Sequence, residues 1–156
     1  MISLKNKSKG FTIVELLIVI VIIGILATLV IVTFTGIQKK ARDSQRQTDI
    51  NAVDSHVEAF YAQYGYYPTL ADLQSSSFLS TYLKGLDPEA LVDPKAGAIA
   101  ATTSSTAYGY TATGASGCVN TTVSDPTGAS TTNNGCDSFT LTATLESGGT
   151  YQKKSN

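Results

Sequence analysis

The sequence is poor in the residues that build metal centres and active sites. Its 156 residues include one histidine and two cysteines, which argues against a metal cluster of His and Cys ligands. It contains no glycine-rich loop of the phosphate-binding type and no recognisable pairing of a nucleophile with a base. We therefore expect no cofactor and no bound metal, and we expect that the protein is not an enzyme.

Positive charge is also scarce. The chain has 11 Lys and Arg against 12 Asp and Glu, a formal charge of −1. Three lysines (Lys5, Lys7 and Lys9) lie in the first ten residues, and removal of that segment leaves eight basic against 12 acidic side chains, or −4. This balance argues against a general nucleic-acid-binding surface, although it leaves room for weak DNA contact through a local patch.

Charge and proline are both absent from Leu16 to Gln38. This run is almost entirely Ile, Leu and Val and has no polar face before about Thr33, so a helix formed by it is apolar on all sides. A run of about 20 apolar residues spans the hydrocarbon core of a bilayer. Glu15 stands near its start, where a carboxylate is costly and therefore indicates a function.

The order of the first residues differs from that of a secretory signal, in which a small-residue cleavage site follows the apolar stretch. Here Gly10 precedes it, so a cut after Gly10 leaves the apolar helix on the mature chain. The residues from Lys9 to Leu17 resemble the N-terminus of type IV prepilins, the family of type IV pilins and type II secretion pseudopilins. The resemblance is close as far as Leu29 and looser as far as Pro68.

The resemblance implies a set of site residues. In this family a membrane peptidase cuts after the glycine and methylates the new amino terminus, which implies cleavage between Gly10 and Phe11 and N-methylation of Phe11. The family also pairs the acid at the position of Glu15 with the amino terminus of a neighbouring subunit, which fixes the register of a filament. Val32 departs from the family, because many members have a proline there.

Beyond Gln38 the chain is highly charged, but five apolar residues recur at intervals of three and four: Ile50, Val53, Val57, Phe60 and Tyr64. That spacing predicts the apolar face of an amphipathic helix. We therefore predict one helix over about residues 11–64, on the order of 80 Å long. Gly65 is expected to end it.

The last third of the chain has a different composition. Ser, Thr, Gly and Asn dominate residues 101–135, as in many disordered segments. However, alternation of apolar and polar residues predicts strands at 107–113 and 138–145, with a third strand returning over 150–153. A short helix is expected at about 77–83. We thus predict an α+β fold, in which the C-terminal half of the long helix packs on a small antiparallel sheet of about three or four strands.

These observations divide the chain into four segments. Residues 1–10 form a leader peptide, and 11–38 form an apolar transmembrane or filament-core helix. Residues 39–65 form the amphipathic half of the helix, and 66–156 form a globular β head with a loop at 118–136.

Cys118 and Cys136 bracket that loop, which has little apolar content. Two cysteines in a chain with an export-type N-terminus fit a single disulfide formed outside the cytoplasm, and the arrangement resembles the disulfide-bounded region of type IV pilins. Two unpaired thiols are the alternative. Asp125 and Asp137 lie near the loop but lack the regular ligand spacing of a dedicated calcium loop, so we predict no metal site.

Three functions remain open. The first is the structural subunit of a type IV pilus-like filament for adhesion, twitching motility or DNA uptake, which the cysteine-bracketed loop and the Ser/Thr-rich head favour. The second is a pseudopilin of a type II secretion system, which the compact size and the Tyr-Pro segment at Tyr67-Pro68 fit almost as well. The third is a membrane-anchored binding module that does not polymerise.

The resemblance also implies partners and a location. The partners are other copies of the chain in a helical homopolymer, the prepilin peptidase, a pilus or secretion assembly platform, and the membrane. Contacts with surfaces or DNA are left open. The precursor is expected as a single-pass protein of the inner (cytoplasmic) membrane, and the assembled subunit in an extracellular or periplasmic filament.

Overall fold

The computed structural model describes residues 10–114, 118–124 and 130–155, with the backbone alone for 119–124 and 130–135. The chain divides into two compact units, one ending at Gln38 and one starting at Lys39. The predicted leader lies outside the described residues except for Gly10, and Asp125 lies outside them as well.

A single helix, α1 (Ile13–Tyr64), begins in the first unit and ends in the second. Every large apolar side chain from Phe11 to Ile37 is more than half exposed in the isolated chain. Within the described residues, α1 is the one helix that is long and apolar enough to cross a membrane, by length and composition. It begins at Ile13 rather than at the predicted Phe11, because the side chain of Thr12 caps its first turn.

Three short helical segments follow α1 in the second unit. They are α2 (Leu70–Leu73), α3 (Ser76–Tyr82) and a 3₁₀ turn at Pro88–Leu91. The predicted helix at about 77–83 therefore starts one residue earlier, because the hydroxyl of Ser75 accepts the N–H of Phe78 and caps α3.

The sheet of the second unit has three antiparallel strands in the order β1 (Gly109–Thr113), β4 (Ser138–Thr144) and β5 (Thr150–Lys154). Two further strands, β2 (Val119–Ser124) and β3 (Ser130–Gly135), pair with each other in a separate antiparallel hairpin. The predicted α+β fold of a long helix with a small antiparallel sheet is confirmed.

Two details of the strand prediction are wrong. The first strand begins at Gly109 rather than at Ala107, because Ala107 closes a tight turn in which its carbonyl accepts the N–H of Ser104 at 3.0 Å. The segment between the cysteines was expected to be an irregular loop, but it contains β2 and β3. Paired backbone groups satisfy one another there, so a strand pair forms without the apolar alternation that a buried strand requires.

The core of the second unit lies between α1 and the sheet. On α1 the buried residues are Ile50, Val53, Val57 and Phe60, four of the five that the spacing predicts, while Tyr64 is only partly buried. On β4 they are the alternating residues Phe139, Leu141 and Ala143. Apolar residues that recur every three or four positions share one face of α1, and apolar residues that alternate share one face of β4. These two faces pack together and form one apolar layer.

Two glycines are required by backbone geometry. Gly65 adopts a positive φ of 78° and its N–H donates to the carbonyl of Tyr61 at 2.7 Å, which ends α1 as the sequence predicts. At Gly97 a Cβ would lie 1.7 Å from the carbonyl oxygen of Thr106. The loop before β1 therefore closes by direct contact of two backbone segments.

An ionic cluster lies beside the apolar core. The Arg46 side chain is completely buried, and its Nε and Nη2 donate to the two carboxylate oxygens of Asp93 at 2.7 and 3.0 Å. Its Nη1 donates to Asp43 at 2.9 Å and to Glu146 at 3.2 Å. Arg42 adds a bidentate pair with Glu146 at 2.6 and 2.9 Å. We call Arg42, Asp43, Arg46, Asp93 and Glu146 the ionic cluster.

The ionic cluster connects three segments that are far apart in the sequence. The backbone N–H groups of Glu146 and Ser147 donate to Asp43 at 2.7 and 2.9 Å, so the turn between β4 and β5 is fixed on α1. Asp93 holds the turn before Gly97 through the N–H of Lys95 at 2.9 Å. Asp43 and Asp93 thus accept hydrogen bonds from backbone N–H groups as well as from guanidinium groups, whereas Glu146 accepts from guanidinium groups.

The same contacts shift the titration of two carboxylates. Burial disfavours the charged form of Asp43, but the hydrogen bonds from Glu146, Ser147 and Arg46 prevail and lower its pKa to about 2. The hydrogen bond from Arg42 lowers the pKa of Glu146 to about 2. Asp49 differs: its burial raises its pKa although the Tyr108 hydroxyl donates to it at 2.7 Å.

Replacing Arg46 by Met should strongly destabilise the second unit. The change leaves buried carboxylates without their guanidinium partner, and such a loss costs about 3–5 kcal/mol. The measurement is the free energy of unfolding of the full chain in detergent. Unfolding is monitored by the near-ultraviolet circular dichroism of the tyrosines. Lys95→Met is the matched control, because Lys95 is partly exposed and lies 3.5 Å from Glu146, so its loss should cost less than about 1 kcal/mol. Equal costs for the two variants would contradict this role of Arg46.

Acid should destabilise the second unit through Asp43 and Glu146. Their pKa values are lower in the folded chain than the unfolded values of about 4, so their contribution is complete above about pH 5 and is lost towards pH 2. Asp49 acts in the opposite direction, because its raised pKa favours the folded state at low pH. The measurement is the urea midpoint between pH 2 and pH 6, with Asp43→Asn as the variant that should flatten the profile. A wild-type midpoint that rises on acidification would refute this assignment.

Candidate assembly site

The residues predicted to carry processing and assembly lie together at the start of α1. Gly10 and Phe11 precede the helix, and the Phe11 side chain is 87% exposed. A Cβ at Gly10 would meet nothing within 4 Å in the described chain. The absence of a side chain at Gly10 is therefore not explained by packing within the subunit, and the predicted fit to a peptidase remains a prediction.

Glu15 is held by Thr12. The backbone N–H and the hydroxyl of Thr12 both donate to Oε2 of Glu15, at 2.9 and 2.8 Å. The N–H of Glu15 donates in return to the Thr12 hydroxyl oxygen at 3.2 Å. This is a capping box, in which the first turn of a helix satisfies its own free N–H groups. Glu15 thus enters an apolar helix with one carboxylate oxygen already hydrogen-bonded.

The apolar surface that follows Glu15 has no cover within its own unit. The exposed fractions are between 51% and 71% for every large apolar side chain from Leu16 to Ile37. Gly24 and Gly36 lie on this surface, and a Cβ at either position would meet nothing within 4 Å. An uncovered apolar surface of this extent requires lipid or other protein around it.

The cysteines form a second site, in the other unit. Cys118 and Cys136 are joined by a disulfide, with their Cα atoms 4.4 Å apart. Cys136 is fully buried, and its backbone exchanges two hydrogen bonds with Tyr67, at 2.8 and 3.2 Å. The disulfide therefore fastens the base of the β2–β3 hairpin to the segment that leaves α1.

Two buried tyrosines that pack near Pro68 donate their hydroxyl groups to protein partners. Tyr67 is buried and donates to Glu58 at 3.1 Å, and burial raises its pKa to about 12. Tyr110 donates to the carbonyl of Pro68 at 2.8 Å. These hydrogen bonds are structural contacts within the second unit.

Two groups of interacting residues were not predicted from the sequence. Thr12 and Glu15 have the Thr-x-x-Glu spacing of a capping box, a signal that was present but was overlooked because it lies inside an apolar run. Asp43 and Arg46 stand three residues apart on α1, which is a weak signal for an ion pair. Nothing in the sequence connects them with Asp93 or Glu146, because that meeting depends on the complete fold.

Comparison with known proteins gives a family match at the N-terminus. Residues 5–31 match the protein family described as "Prokaryotic N-terminal methylation motif". The chain carries a prepilin-type N-terminus. The match includes Gly10, Phe11 and Glu15 and ends before Val32, the position that departs from many pilins.

Part of the chain is similar to proteins named for type II secretion and to a type IV pilin. It is 38% identical over 64 residues to "Type II secretion system core protein G" of Escherichia coli, which covers 41% of this chain and 44% of the relative. It is 37% identical over 65 residues to the protein of the same name from Aeromonas hydrophila, over 42% of this chain and 46% of the relative. It is 33% identical over 66 residues to "Type IV major pilin protein PilA" of Myxococcus xanthus, over 42% and 30%.

In each case the similarity spans less than half the length of the relative. No solved structure matches the chain significantly. The chain thus matches a prepilin-type methylation motif and is similar, over about two fifths of its length, to named pilins and type II secretion proteins.

Loss of the disulfide should destabilise the hairpin without affecting α1. Cys118→Ser is the suitable change, because Cys118 is partly exposed whereas a serine in place of buried Cys136 would add a desolvation cost. Opening a loop of this size costs about 3 kcal/mol in the chain-entropy model. The measurement is the rate of protease cleavage between residues 118 and 136 in the full chain, with helix content followed by circular dichroism. Reduced wild-type protein is the control and should behave like the variant, while unchanged protease resistance in both would contradict the role of the disulfide.

Proposed function

We propose that the protein is a pseudopilin, a structural subunit that polymerises into the filament of a type II secretion system. The observation that carries this proposal is the similarity to core protein G of type II secretion systems from several bacteria. It favours the secretion filament over the type IV pilus, which the sequence analysis had placed first. The protein acts in this proposal by assembly, with no catalytic step of its own.

Membrane storage follows from the apolar half of α1. The precursor spans the cytoplasmic membrane once, with side chains from Leu16 to Ile37 in lipid. A charged carboxylate in that environment is costly. The two hydrogen bonds that Thr12 donates to Oε2 of Glu15 reduce this cost, because they replace part of the lost hydration.

Processing then supplies a partner for Glu15. Cleavage after Gly10 by a prepilin peptidase creates an amino group on Phe11, which the same enzyme methylates. Within the described residues, Oε1 of Glu15 accepts no hydrogen bond, so one oxygen remains for the amino group of a neighbouring copy. Such a buried pair contributes specificity more than stability, and it would set the register between adjacent subunits.

Filament cohesion comes from the rest of the apolar surface. The side chains that contact lipid in the stored subunit contact other copies of α1 in the filament, so assembly exchanges one apolar environment for another. An assembly platform is needed to extract the subunit from the membrane. The second unit is exported with the filament, where the oxidising environment maintains the disulfide of Cys118 and Cys136.

A type IV pilin is the second candidate. The similarity to the major pilin PilA favours it, as does the disulfide that closes the β2–β3 hairpin. Both candidates use the same cleavage and the same Glu15 pairing. They differ in what the filament does, which is secretion in one case and adhesion, motility or DNA uptake in the other.

Deletion of the gene in its own bacterium separates the two candidates. A secretion pseudopilin predicts that exported enzymes disappear from the medium and accumulate inside the cell envelope, while sheared surface pili and twitching remain. A pilin predicts the reverse. Complementation with the wild-type chain must restore the lost property, and a deletion that affects neither property would refute both.

The complementing chain also tests Glu15. Glu15→Gln keeps the size of the side chain and removes its charge, so we expect cleaved subunit in the membrane but a loss of filaments and of the dependent property. Glu15→Val makes insertion easier by up to about 3 kcal/mol and should give the same loss. Intact mass of the membrane-extracted subunit verifies removal of residues 1–10. Thr28→Val is the matched control, because it removes a polar group from the same exposed surface, and it should assemble normally. Normal filaments from both Glu15 variants would disprove the pairing mechanism.

A further inference from the structure

A cleft of about 320 Å³ lies in the second unit between the last turns of α1 and the end of α3. Side chains of His56, Gln63 and Tyr64 line it from α1, and those of Thr81, Tyr82 and Lys84 line it from α3 and the turn that follows. Its volume is at the small end of the range of ligand pockets, about 300–1,000 Å³. A pocket of this size suits one small ring rather than an extended ligand.

One wall of the cleft is aromatic and fixed in place. The rings of Tyr64 and Tyr82 are 5.7 Å apart with an interplanar angle of 80°. Buried Phe60 supports both, at 4.5 Å from Tyr64 and 6.3 Å from Tyr82. Tyr64 and Tyr82 are themselves only partly buried. The wall therefore offers ring surface that is positioned by the core and open to a ligand.

The rim of the cleft offers both hydrogen-bond donors and hydrogen-bond acceptors. His56 Nδ1 lies 2.9 Å from the carbonyl of Ala52 and donates to it, so Nε2 is the ring nitrogen available to a ligand. Nε2 faces the turn at Gly85, where a Cβ would lie 3.8 Å from it. In the described part of the chain, the side chains of Gln63 and Thr81 make no hydrogen bond with protein. A ligand with several hydroxyl groups can use all three.

The cleft carries one positive charge, on the ammonium group of Lys84. Lys84 is exposed and has no carboxylate within 4 Å among the described residues, and no Asp or Glu lines the cleft. A cationic ligand would be repelled, and a metal ion would find one imidazole and no carboxylate. A phosphate group would find one cation where such sites usually provide several donors. A single carboxylate is the anion that the cleft matches.

We propose that this cleft binds an acidic sugar, the uronate residue of an extracellular polysaccharide. The apolar face of the sugar ring packs on one of the two perpendicular rings, Tyr64 and Tyr82, its edge contacts the other, and its carboxylate pairs with Lys84. The hydroxyl groups bind Gln63, Thr81 and Nε2 of His56. This role goes beyond assembly and does not depend on which filament the chain forms, because the cleft lies entirely within the exported unit.

The single histidine of the chain provides a direct test. The mature full-length chain is held in a zwitterionic detergent without a sugar head group, at constant pH and ionic strength. Sodium D-glucuronate is added while the imidazole signal of His56 is followed by nuclear magnetic resonance. We expect a saturable shift, and D-glucose, which lacks the carboxylate, should bind about tenfold more weakly. Oligomers of galacturonate should reproduce the shift, which extends the result from the free sugar to a polymer.

Two variants assign the binding to the cleft. Lys84→Gln should weaken glucuronate binding about tenfold, as expected for the loss of a charge-assisted contact, and Gln63→Ala should weaken it several-fold. Both positions are exposed, so the fold should persist, and the remaining signals verify this. Lys154→Gln is the matched control, because it removes the same charge from β5 outside the cleft and should leave binding unchanged.

Three results would overturn the proposal. They are a shift that does not saturate, an equal affinity of wild type and Lys84→Gln for glucuronate, and an identical titration by sodium acetate. The last would mean that the cleft recognises a carboxylate without the sugar. None of these measurements depends on filament formation, so their failure would leave the assembly function intact.

Discussion

The completely buried guanidinium group of Arg46 determines how the second unit is held together. A buried charge is tolerated only when every donor is matched, and here Asp43, Asp93 and Glu146 match it from the helix, from the loop before β1 and from the β4–β5 turn. The apolar core can be formed by many arrangements of similar volume, whereas this set of hydrogen bonds permits one. The ionic cluster thus fixes the position of the sheet turn on α1.

The two halves of α1 form one continuous helix but differ in what surrounds their apolar side chains. From Lys39 onward, one face is buried in the core, and the buried charged residues Asp43 and Arg46 are paired. Among the described residues before Gln38, no apolar side chain is buried, and the Glu15 carboxylate accepts hydrogen bonds only from Thr12. The first half is therefore incomplete as an isolated chain. Its exposed apolar surface is suited to lipid or to the apolar surface of another protein chain, which is the physical basis of the proposed storage in a membrane and use in a filament.

Local patterns predicted much of this architecture. The spacing of Ile50 to Phe60, the alternation in β4 and the glycine after Tyr64 identified the helix, the main strand and the helix end, because each depends on near neighbours in the sequence. The β2–β3 hairpin was not predicted, because its stability comes from backbone pairing and a covalent link rather than from apolar residues. The ionic cluster was not predicted either, since about 50 or 100 residues separate its partners and only the folded chain brings them together.

The capping box of Thr12 and Glu15 has a consequence for the chemistry of the bond after Gly10. Because the cap begins the helix at Ile13, this peptide bond lies just outside helical structure. Proteases act on extended segments, so the same two side chains that start α1 also determine how much unwound chain a peptidase can reach. Under the proposed function, Thr12 is therefore placed to act on two features at once, the start of the helix beside the bond after Gly10 and the orientation of the Glu15 carboxylate.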